Sequence, residues 1–298
     1  MKYTYFRLVL AVLLFLGGWQ IVSAETNELM VRCVAFYNLE NVFDTIHDEG
    51  KNDYEYLPDG GMKWTSLKYT NKIQNMAYAI AQLGTDEDPR GAAIVGVSEV
   101  ENIGCLHDLC KELKEKHNRN YVPILLEGPD RRGIDVGLLY NPDMFKPVGK
   151  PKGYELKAHY ADGGVVRSRL QLWVSGYMLD DSRKIVMDKI HISVNHWPSR
   201  SGGEESSRAT RDTAAMLVKQ VADSIYMKET RAKIIVMGDL NDDPFNNSCS
   251  VILGAKKTRE EVGTQGFFNT MWQKLDRGIG TLAYQGSWNL FDQIMISE

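Results

Sequence analysis

Four short polar clusters each follow an apolar, strand-like segment of the sequence. They are residues 38–41 (NLEN), 98–102 (SEVEN), 195–200 (NHWPSR) and 238–244 (GDLNDDP). Strand ends display side chains on a rigid frame, so residues of separate clusters can meet at one site. The clusters contain carboxylates, amides, one histidine and one arginine, and the chain has no GxSxG elbow and no P-loop. These groups suit metal-assisted attack of water on a phosphate ester.

The strongest single signal is Gly238-Asp239-Leu240-Asn241 in the fourth cluster. Asp239 and Asn241 are two residues apart, so an extended chain places them on the same side. An aspartate can orient or deprotonate a water, and an asparagine can hold the transferring group. The alternative is an Asx-turn before Pro244.

The first two clusters supply the carboxylates expected to bind a cation. Asn38 and Glu40 share a side if their strand continues through them. Glu99 follows an uninterrupted apolar strand, where a lone carboxylate is costly unless it is paired or bound to a metal. The alternatives are a polar loop after the first strand and, for Asn102, a helix N-cap.

The third cluster places His196 beside Ser199 and Arg200. Arginine offers a fork of donors to phosphate oxygens, and histidine can donate a proton near neutral pH. The alternative for His196 is a residue that ends a strand. Ligands dominated by oxygen favour Mg²⁺, Mn²⁺ or Ca²⁺ over zinc.

The positions of the elements predict a layered α/β core. Strands are predicted at 31–37, 92–98, 121–126, 134–140, 169–178, 185–195, 233–237 and 290–296. Helices are predicted from Thr65 to about Leu83, from Asn102, and from about 204 to 228. Strands that alternate with helices and then come in pairs predict a sheet-on-sheet core with helices outside, in one domain over 25–298.

Residues 1–24 have the pattern of a signal peptide. Lys2 and Arg7 precede an apolar stretch at 8–16, and Val22-Ser23-Ala24 is typical of a cleavage site. The alternative is a membrane anchor, but the apolar stretch is short for a span of about 20 residues. We therefore expect export to the periplasm or the medium, with no stable membrane anchor.

Charge and cysteine content restrict the function further. Loss of Lys2 and Arg7 would take the formal net charge from −4 to −6, which argues against a broad basic surface for nonspecific nucleic-acid binding. The four cysteines have no CxxC spacing, and we expect most of them to be buried free thiols.

The chain resembles the endonuclease/exonuclease/phosphatase (DNase I-like) family, in its secreted bacterial branch. The matching stretches are FYNLENVFD (36–44), IVGVSEVEN (94–102), RRGIDVGLLYNP (131–142), VNHWPSR (194–200), VMGDLNDDP (236–244) and WNLFDQIMIS (288–297). The resemblance implies a four-layer α/β/β/α sandwich, with two mostly antiparallel sheets packed face to face and helices outside.

The resemblance also implies which residues bind the metal and the phosphate. Glu99 would be the principal ligand of Mg²⁺ (or Mn²⁺ or Ca²⁺), helped by Glu40. Asn38 and Asn241 would contact the scissile phosphate, and Arg200 would be a further phosphate contact.

Three more residues carry catalytic roles by resemblance. Asp239 would orient or activate the attacking water, and His196 would act as an acid or a phosphate ligand. Asp292 matches a carboxylate that orients a second histidine, found in the family in a Ser-Asp-His run before one more strand. None of the six histidines follows Asp292, so we expect a fragment of a longer reading frame; the alternative is a truncated protein. Loss of the last strand would leave an open sheet edge.

The expected function is that of a monomeric, secreted phosphodiesterase or nuclease with a phosphate-ester substrate, possibly DNA or RNA. One alternative is a phosphatase or phosphodiesterase for a small or lipid substrate such as an inositol phosphate, a nucleotide or sphingomyelin. Another is a non-catalytic phosphate-binding domain. Specificity is expected in the loops 44–62, 160–168 and 202–205.

Overall fold

A computed structural model describes residues 30–160, 163–185, 189–284 and 286–298. The signal peptide predicted at 1–24 lies outside these residues. Val31–Glu298 form a single unit. Within the described ranges, none of the helices combines the length and apolar character needed to cross a membrane.

The first sheet has four strands, which lie in the order β1-β2-β4-β3. They are β1 (Val34–Val42), β2 (Ile94–Val100), β3 (Val122–Leu125) and β4 (Asp135–Tyr140). β1 and β2 are parallel, and the other pairs are antiparallel. Strand β1 therefore lies at an edge of this sheet.

The second sheet has six strands, in the order β5-β6-β7-β8-β12-β9. They are β5 (Phe145–Tyr154), β6 (Gln171–Met178), β7 (Ile190–His196), β8 (Lys233–Asp239), β9 (Phe267–Asn269) and β12 (Asp292–Ser297). Only β7 and β8 are parallel within this sheet. A separate hairpin joins β10 (Leu282–Tyr284) to β11 (Ser287–Asn289).

Helices cover the outer face of each sheet. They are α1 (Ser66–Ile80), α2 (Ile103–His117), α3 (Glu204–Tyr226) and the short α4 (Trp272–Asp276). α1 and α2 bury Ile80 and Leu109 against the first sheet, and α3 buries Val218 against the second. Between the sheets, Ile94 packs with Ile192. The predicted four-layer sandwich is confirmed.

The predicted N-caps of the two helices that pack on the first sheet, α1 and α2, are also confirmed. The Thr65 hydroxyl accepts from the Lys68 amide at 3.4 Å, and the Asn102 side chain accepts from the Cys105 amide at 3.0 Å. α1 ends at Ile80, three residues before the predicted end. All four cysteines are free, and Cys33 is the one that is not buried.

Strand β5 was missed in the sequence, which has a loop-like composition there. Its residues FKPVGKPKGY include two prolines, two glycines and three lysines. Proline cannot donate to a sheet ladder and is tolerated on edge strands and at bulges. β5 lies at an edge and changes register between Val148 and Lys152, so its composition fits its position.

Candidate active site

The predicted residues meet at one end of the two sheets. Parallel pairing of β7 and β8 places His196 opposite Asp239, and antiparallel pairing of β12 places Asp292 on the other side of Asp239. Asn38 reaches across from the first sheet. Its Nδ2 lies 3.3 Å from Glu99 Oε1 and 3.1 Å from Asp239 Oδ2. One amide thus joins carboxylates from both sheets.

Gly238 allows this close approach of β7 and β8. Its φ is +152°, and a Cβ there would lie 2.1 Å from the carbonyl oxygen of Asn195. Any other residue would push the two strands apart. The glycine of the GDLN motif therefore holds Asp239 beside His196.

Backbone strain is concentrated at the cleft. Among the described residues, eight other than glycine have positive φ, and four of them line the cleft. These four are Glu40 (+54°), Asn41 (+62°), Glu99 (+62°) and Asn241 (+51°). Such conformations cost of order 1–3 kcal/mol each and persist where the surroundings impose them. Glu99 lies at a bulge of β2, which aims its carboxylate into the cleft.

His196 is buried, and neither of its ring nitrogens has a hydrogen-bond partner among the described residues. Its Nε2 lies 3.9 Å from Glu99 Oε1 and 3.8 Å from Asp239 Oδ2, beyond hydrogen-bond distance. Its Nδ1 is buried without a partner. Burial, helped by the positive charges of Arg169 and Arg132, holds the pKa of His196 well below its ordinary value. The ring is therefore neutral and carries one N–H to offer.

The carboxylates beside His196 resist ionisation in this setting. Burial raises the pKa of Asp239 to about 6. Burial, followed by the charge of Asp239, raises the pKa of Asp292 to about 7. Asp239 is held in place because its Oδ1 accepts from the Asn241 amide at 3.0 Å. Like charges crowded together favour a cation among them.

The donor atoms at this point fit a hard divalent cation. Glu99, His196 and Asp239 each offer one ligand atom within 4.8 Å of the others. The two carboxylate oxygens suit Mg²⁺, Mn²⁺ or Ca²⁺, whereas His196 Nε2 can either bind the cation or carry the N–H that donates to a phosphate oxygen. Glu40 lines the same cleft but lies outside this group, exposed at the rim. Its role as a second ligand stays a prediction.

Asn241 and Arg200, both predicted to contact phosphate, lie in different surroundings. Asn241 Nδ2 donates to the Trp197 carbonyl at 3.0 Å and lines the cleft, which leaves its second N–H available. Arg200 Nη2 instead faces Asp242 and Asp243 at 3.4 and 3.3 Å. Its Nε donates to the Asn241 carbonyl at 2.9 Å. Arg200 thus braces the loop of Asn241 from outside the cleft.

The cleft has a volume of about 930 Å³ and includes residues that the sequence did not reveal. Lys72 of α1 lines it, and burial lowers the pKa of this lysine although Glu40 and Glu99 oppose the shift. Tyr56 stacks on Phe43 with ring centroids 4.1 Å apart and also lines the cleft. No motif marks Lys72, because it lies in an ordinary amphipathic helix.

Arg169 is a third residue that sequence reasoning missed. It is buried, and its Nη2 donates to the Trp197 carbonyl at 2.8 Å, the same oxygen that receives Asn241. Its Nη1 lies 3.2 Å from Asp130 Oδ2. Arg169 therefore fixes the carbonyl that positions Asn241. It lies just before β6, in a segment that carries no polar motif.

A four-layer sandwich that gathers carboxylates, amides and a histidine at one sheet end defines a class of phosphoester hydrolases. Residues 33–298 match the model of the Endonuclease/Exonuclease/phosphatase family, and the chain belongs to that family. No curated protein sequence matches the chain.

Two solved structures from Bacteroides thetaiotaomicron share the fold at low sequence identity. The mannosyl-6-phosphatase of Bacteroides thetaiotaomicron is 15% identical with a TM-score of 0.53, over 89% of this chain and 84% of that chain. An endonuclease/exonuclease/phosphatase family protein of the same organism is 15% identical with a TM-score of 0.50, over 89% and 82%. The human nocturnin catalytic domain with bound sulfate is 15% identical with a TM-score of 0.48, over 76% and 75%.

Proposed function

We propose that the protein is a divalent-cation-dependent phosphodiesterase that is exported from the cell. The observation that carries this proposal is the convergence of the predicted residues at one cleft. Asn38 bridges Glu99 and Asp239 across the two sheets, and His196 faces both carboxylates. Membership of the family supports hydrolysis of phosphoesters in general.

The residues of this chain divide the chemistry among them. Water adds to phosphorus as one ester P–O bond breaks, and Asp239 takes the proton of that water. The leaving oxygen departs with the electron pair of the broken bond and takes a proton from solvent. The free N–H of Asn241 and the N–H of His196 donate to phosphoryl oxygens as their charge grows. The Lys72 ammonium offsets negative charge in the same cleft. A cation held by Glu99 would neutralise charge on the phosphate.

A substrate panel tests this proposal. We expect bis-p-nitrophenyl phosphate and plasmid DNA to be cleaved with Mg²⁺ or Mn²⁺ and to persist in EDTA. Glu99→Gln is the matched control, because the amide keeps the shape of the side chain and removes its charge. Equal cleavage by the wild type and this variant would contradict the proposal.

A second candidate function is that of a phosphatase for a small sugar phosphate. It is motivated by the shared fold of the Bacteroides thetaiotaomicron mannosyl-6-phosphatase, although a fold alone does not define a substrate. Phosphate release from mannose 6-phosphate at a rate above that for the diesters would favour this second function.

The N-terminal pattern of Lys2, Arg7 and the apolar stretch at 8–16 supports export. Fractionation of cells that express the full chain tests this part. Recovery of the protein with the cytoplasm alone would contradict it.

A further inference from the structure

A basic pocket lies beside the cleft, and no part of the proposed chemistry uses it. The basic pocket is lined by Lys51, Asn52, Asp130, Arg131 and Arg167, and its volume is about 440 Å³. Lys51 and Asn52 belong to the loop 44–62 expected to govern specificity, Arg131 lies in the turn that precedes β4, and Arg167 lies shortly before β6. The fold therefore brings three cations from separate segments together at this pocket.

The charge of the basic pocket is not compensated by its one acid. Asp130 is buried, its Oδ2 accepts from Arg169 Nη1 at 3.2 Å, and its Oδ1 accepts from the Arg132 amide at 2.9 Å. Arg131 and Arg167 form no ion pair with any carboxylate of the described residues. Within the part of the chain that the structure describes, these two unpaired guanidinium groups are a local excess of positive charge in a protein of net charge −4. Planar guanidinium groups match phosphate oxygens in two-point contacts.

The backbone of the basic pocket is already held in place. The Asn52 amide donates to the Arg131 carbonyl at 2.7 Å, and the Gly133 amide donates to the Asp130 carbonyl at 3.2 Å. Lys51 Nζ ties the same turn through the carbonyls of Gly128 and Asp130, at 3.0 and 3.3 Å. A ligand would therefore order little of the chain on binding, which favours affinity.

Two contacts connect the basic pocket to the cleft. Inside the protein, Arg169 joins Asp130 to the Trp197 carbonyl that also positions Asn241. At the surface, Arg132 Nη1 lies 3.5 Å from the side chain of Asn41, which lines the cleft. Arg132 thus links the two sites, because it follows Arg131 of the basic pocket and contacts Asn41 of the cleft.

Acidic residues limit the direction from which an anion can approach. Asp48, Glu49 and Glu127 line a neighbouring depression on the other side of Lys51. Arg131 and Arg167 line the basic pocket but not that depression, so the two sites share Lys51 alone.

We propose that the basic pocket is a second phosphate subsite, which holds a phosphate of the substrate other than the one being cleaved. This rests on the proposed function of the cleft. The ligand is then a substrate with at least two phosphates, either a nucleic-acid strand or a small polyphosphorylated molecule. A substrate with a single phosphate would leave the subsite unused.

The full-length chain with Arg131→Gln and Arg167→Gln tests the proposal. The matched control is Lys228→Gln with Arg231→Gln, which removes the same charge from exposed residues beside the N-terminal end of β8. Asp239 ends that strand, about 20 Å away at roughly 3.3 Å per residue. Binding of labelled oligothymidylate and of inorganic tripolyphosphate is measured in EDTA over a salt series. Turnover of bis-p-nitrophenyl phosphate, which has one phosphate, is measured with Mg²⁺.

We expect the arginine variant to bind oligothymidylate about tenfold more weakly. The slope of log K against log salt should fall by about 0.7 for each lost phosphate contact. The control and the turnover of bis-p-nitrophenyl phosphate should match the wild type. A parallel loss of tripolyphosphate binding supports small polyphosphates as ligands, and a loss confined to oligothymidylate supports a nucleic-acid strand.

Binding by the arginine variant that matches the control for both probes would overturn the proposal. Failure of the proposed function has a different signature: Glu99→Gln would then keep the turnover of bis-p-nitrophenyl phosphate. Thermal unfolding of both double variants checks that each one is folded. Because all four substituted side chains are exposed, we expect both to unfold at the wild-type temperature.

Discussion

His191 and His196 are both buried on strand β7, five residues apart, and their surroundings differ. His191 Nδ1 lies 2.8 Å from the Ser175 hydroxyl, and its Nε2 lies 3.3 Å from Glu229, which also pairs with Lys189. His196 has carboxylates nearby at 3.8 and 3.9 Å and a buried Nδ1 with no partner. A buried polar group costs free energy unless it is hydrogen-bonded.

The difference separates a structural histidine from a functional one. The pKa of each is lowered, and burial is the main cause for both, so the direction of the shift does not distinguish them. What distinguishes them is that both ring nitrogens of His191 have partners within the fold, whereas His196 Nδ1 has none and its Nε2 lies near two carboxylates that line the cleft.

The largest expected effect is on turnover, when the carboxylate beside each histidine is replaced. Glu99→Gln should lower the turnover of bis-p-nitrophenyl phosphate by about 10³-fold, because the charge that holds the cation is lost. Glu229→Gln, which changes the carboxylate beside His191, should keep the wild-type rate. Initial rates at saturating Mg²⁺ measure both, and a similar loss in the two variants would remove the distinction.

The next largest effect is expected on kcat, when each of the two histidines is itself replaced. His196→Gln should lower kcat by about 10²-fold, because it removes a donor to the phosphoryl oxygens. His191→Gln should leave kcat unchanged. Both are measured by the same assay, with folding checked by circular dichroism. An intact rate in His196→Gln would show that this ring does not touch the substrate.

For the free energy of unfolding, we expect the His191 variant to lose more than the His196 variant, the reverse of their order in kcat. His191→Gln should lower the free energy of unfolding by about 1–3 kcal/mol, since Ser175 and Glu229 lose their buried partner. His196→Gln should cost less, because the ring it replaces makes no hydrogen bond inside the fold. Urea denaturation measures both differences. A larger loss in His196→Gln would mean that packing of this ring had been underestimated.

The smallest expected effect is on stability, and it tests whether a raised carboxyl pKa is by itself a sign of a functional residue. Burial raises the pKa of Asp135, outside the cleft, to about 7. A raised carboxyl pKa means that the folded state holds the proton more tightly than the unfolded state does. The contribution of protonated Asp135 to the stability of the fold is therefore full below about pH 4 and is lost as the pH rises through 7. Asp135→Asn cannot ionise and should gain on the order of 1 kcal/mol over the wild type at pH 8.

Thermal unfolding at pH 4 and pH 8 measures this gain, and the exposed Asp86→Asn is the control. Turnover of bis-p-nitrophenyl phosphate should stay unchanged in Asp135→Asn. A loss of turnover would place Asp135 in the functional network and weaken the distinction drawn between the two histidines.

Local sequence determined the elements and the chemistry of their ends. Apolar runs predicted β2 and β8, and Thr65 and Asn102 predicted helix starts. These succeed because capping and strand alternation depend on neighbours along the chain. Membership of the family was predictable for the same reason, since the motifs are contiguous. The extended geometry expected from Asp239 to Asn241 was wrong, because β8 ends at Asp239, Asn241 has a φ of +51°, and its amide donates to Asp239 Oδ1.

Tertiary structure decided which of these residues meet. Asn38 and Asp239 are 201 positions apart and belong to different sheets, so only sheet packing joins them. Arg200 has the composition of a phosphate ligand, but the fold surrounds it with Asp242 and Asp243. Lys72 has no motif, yet α1 carries it to the cleft. The physical reason is that electrostatic contacts and burial depend on distance in space, which the order of residues does not encode.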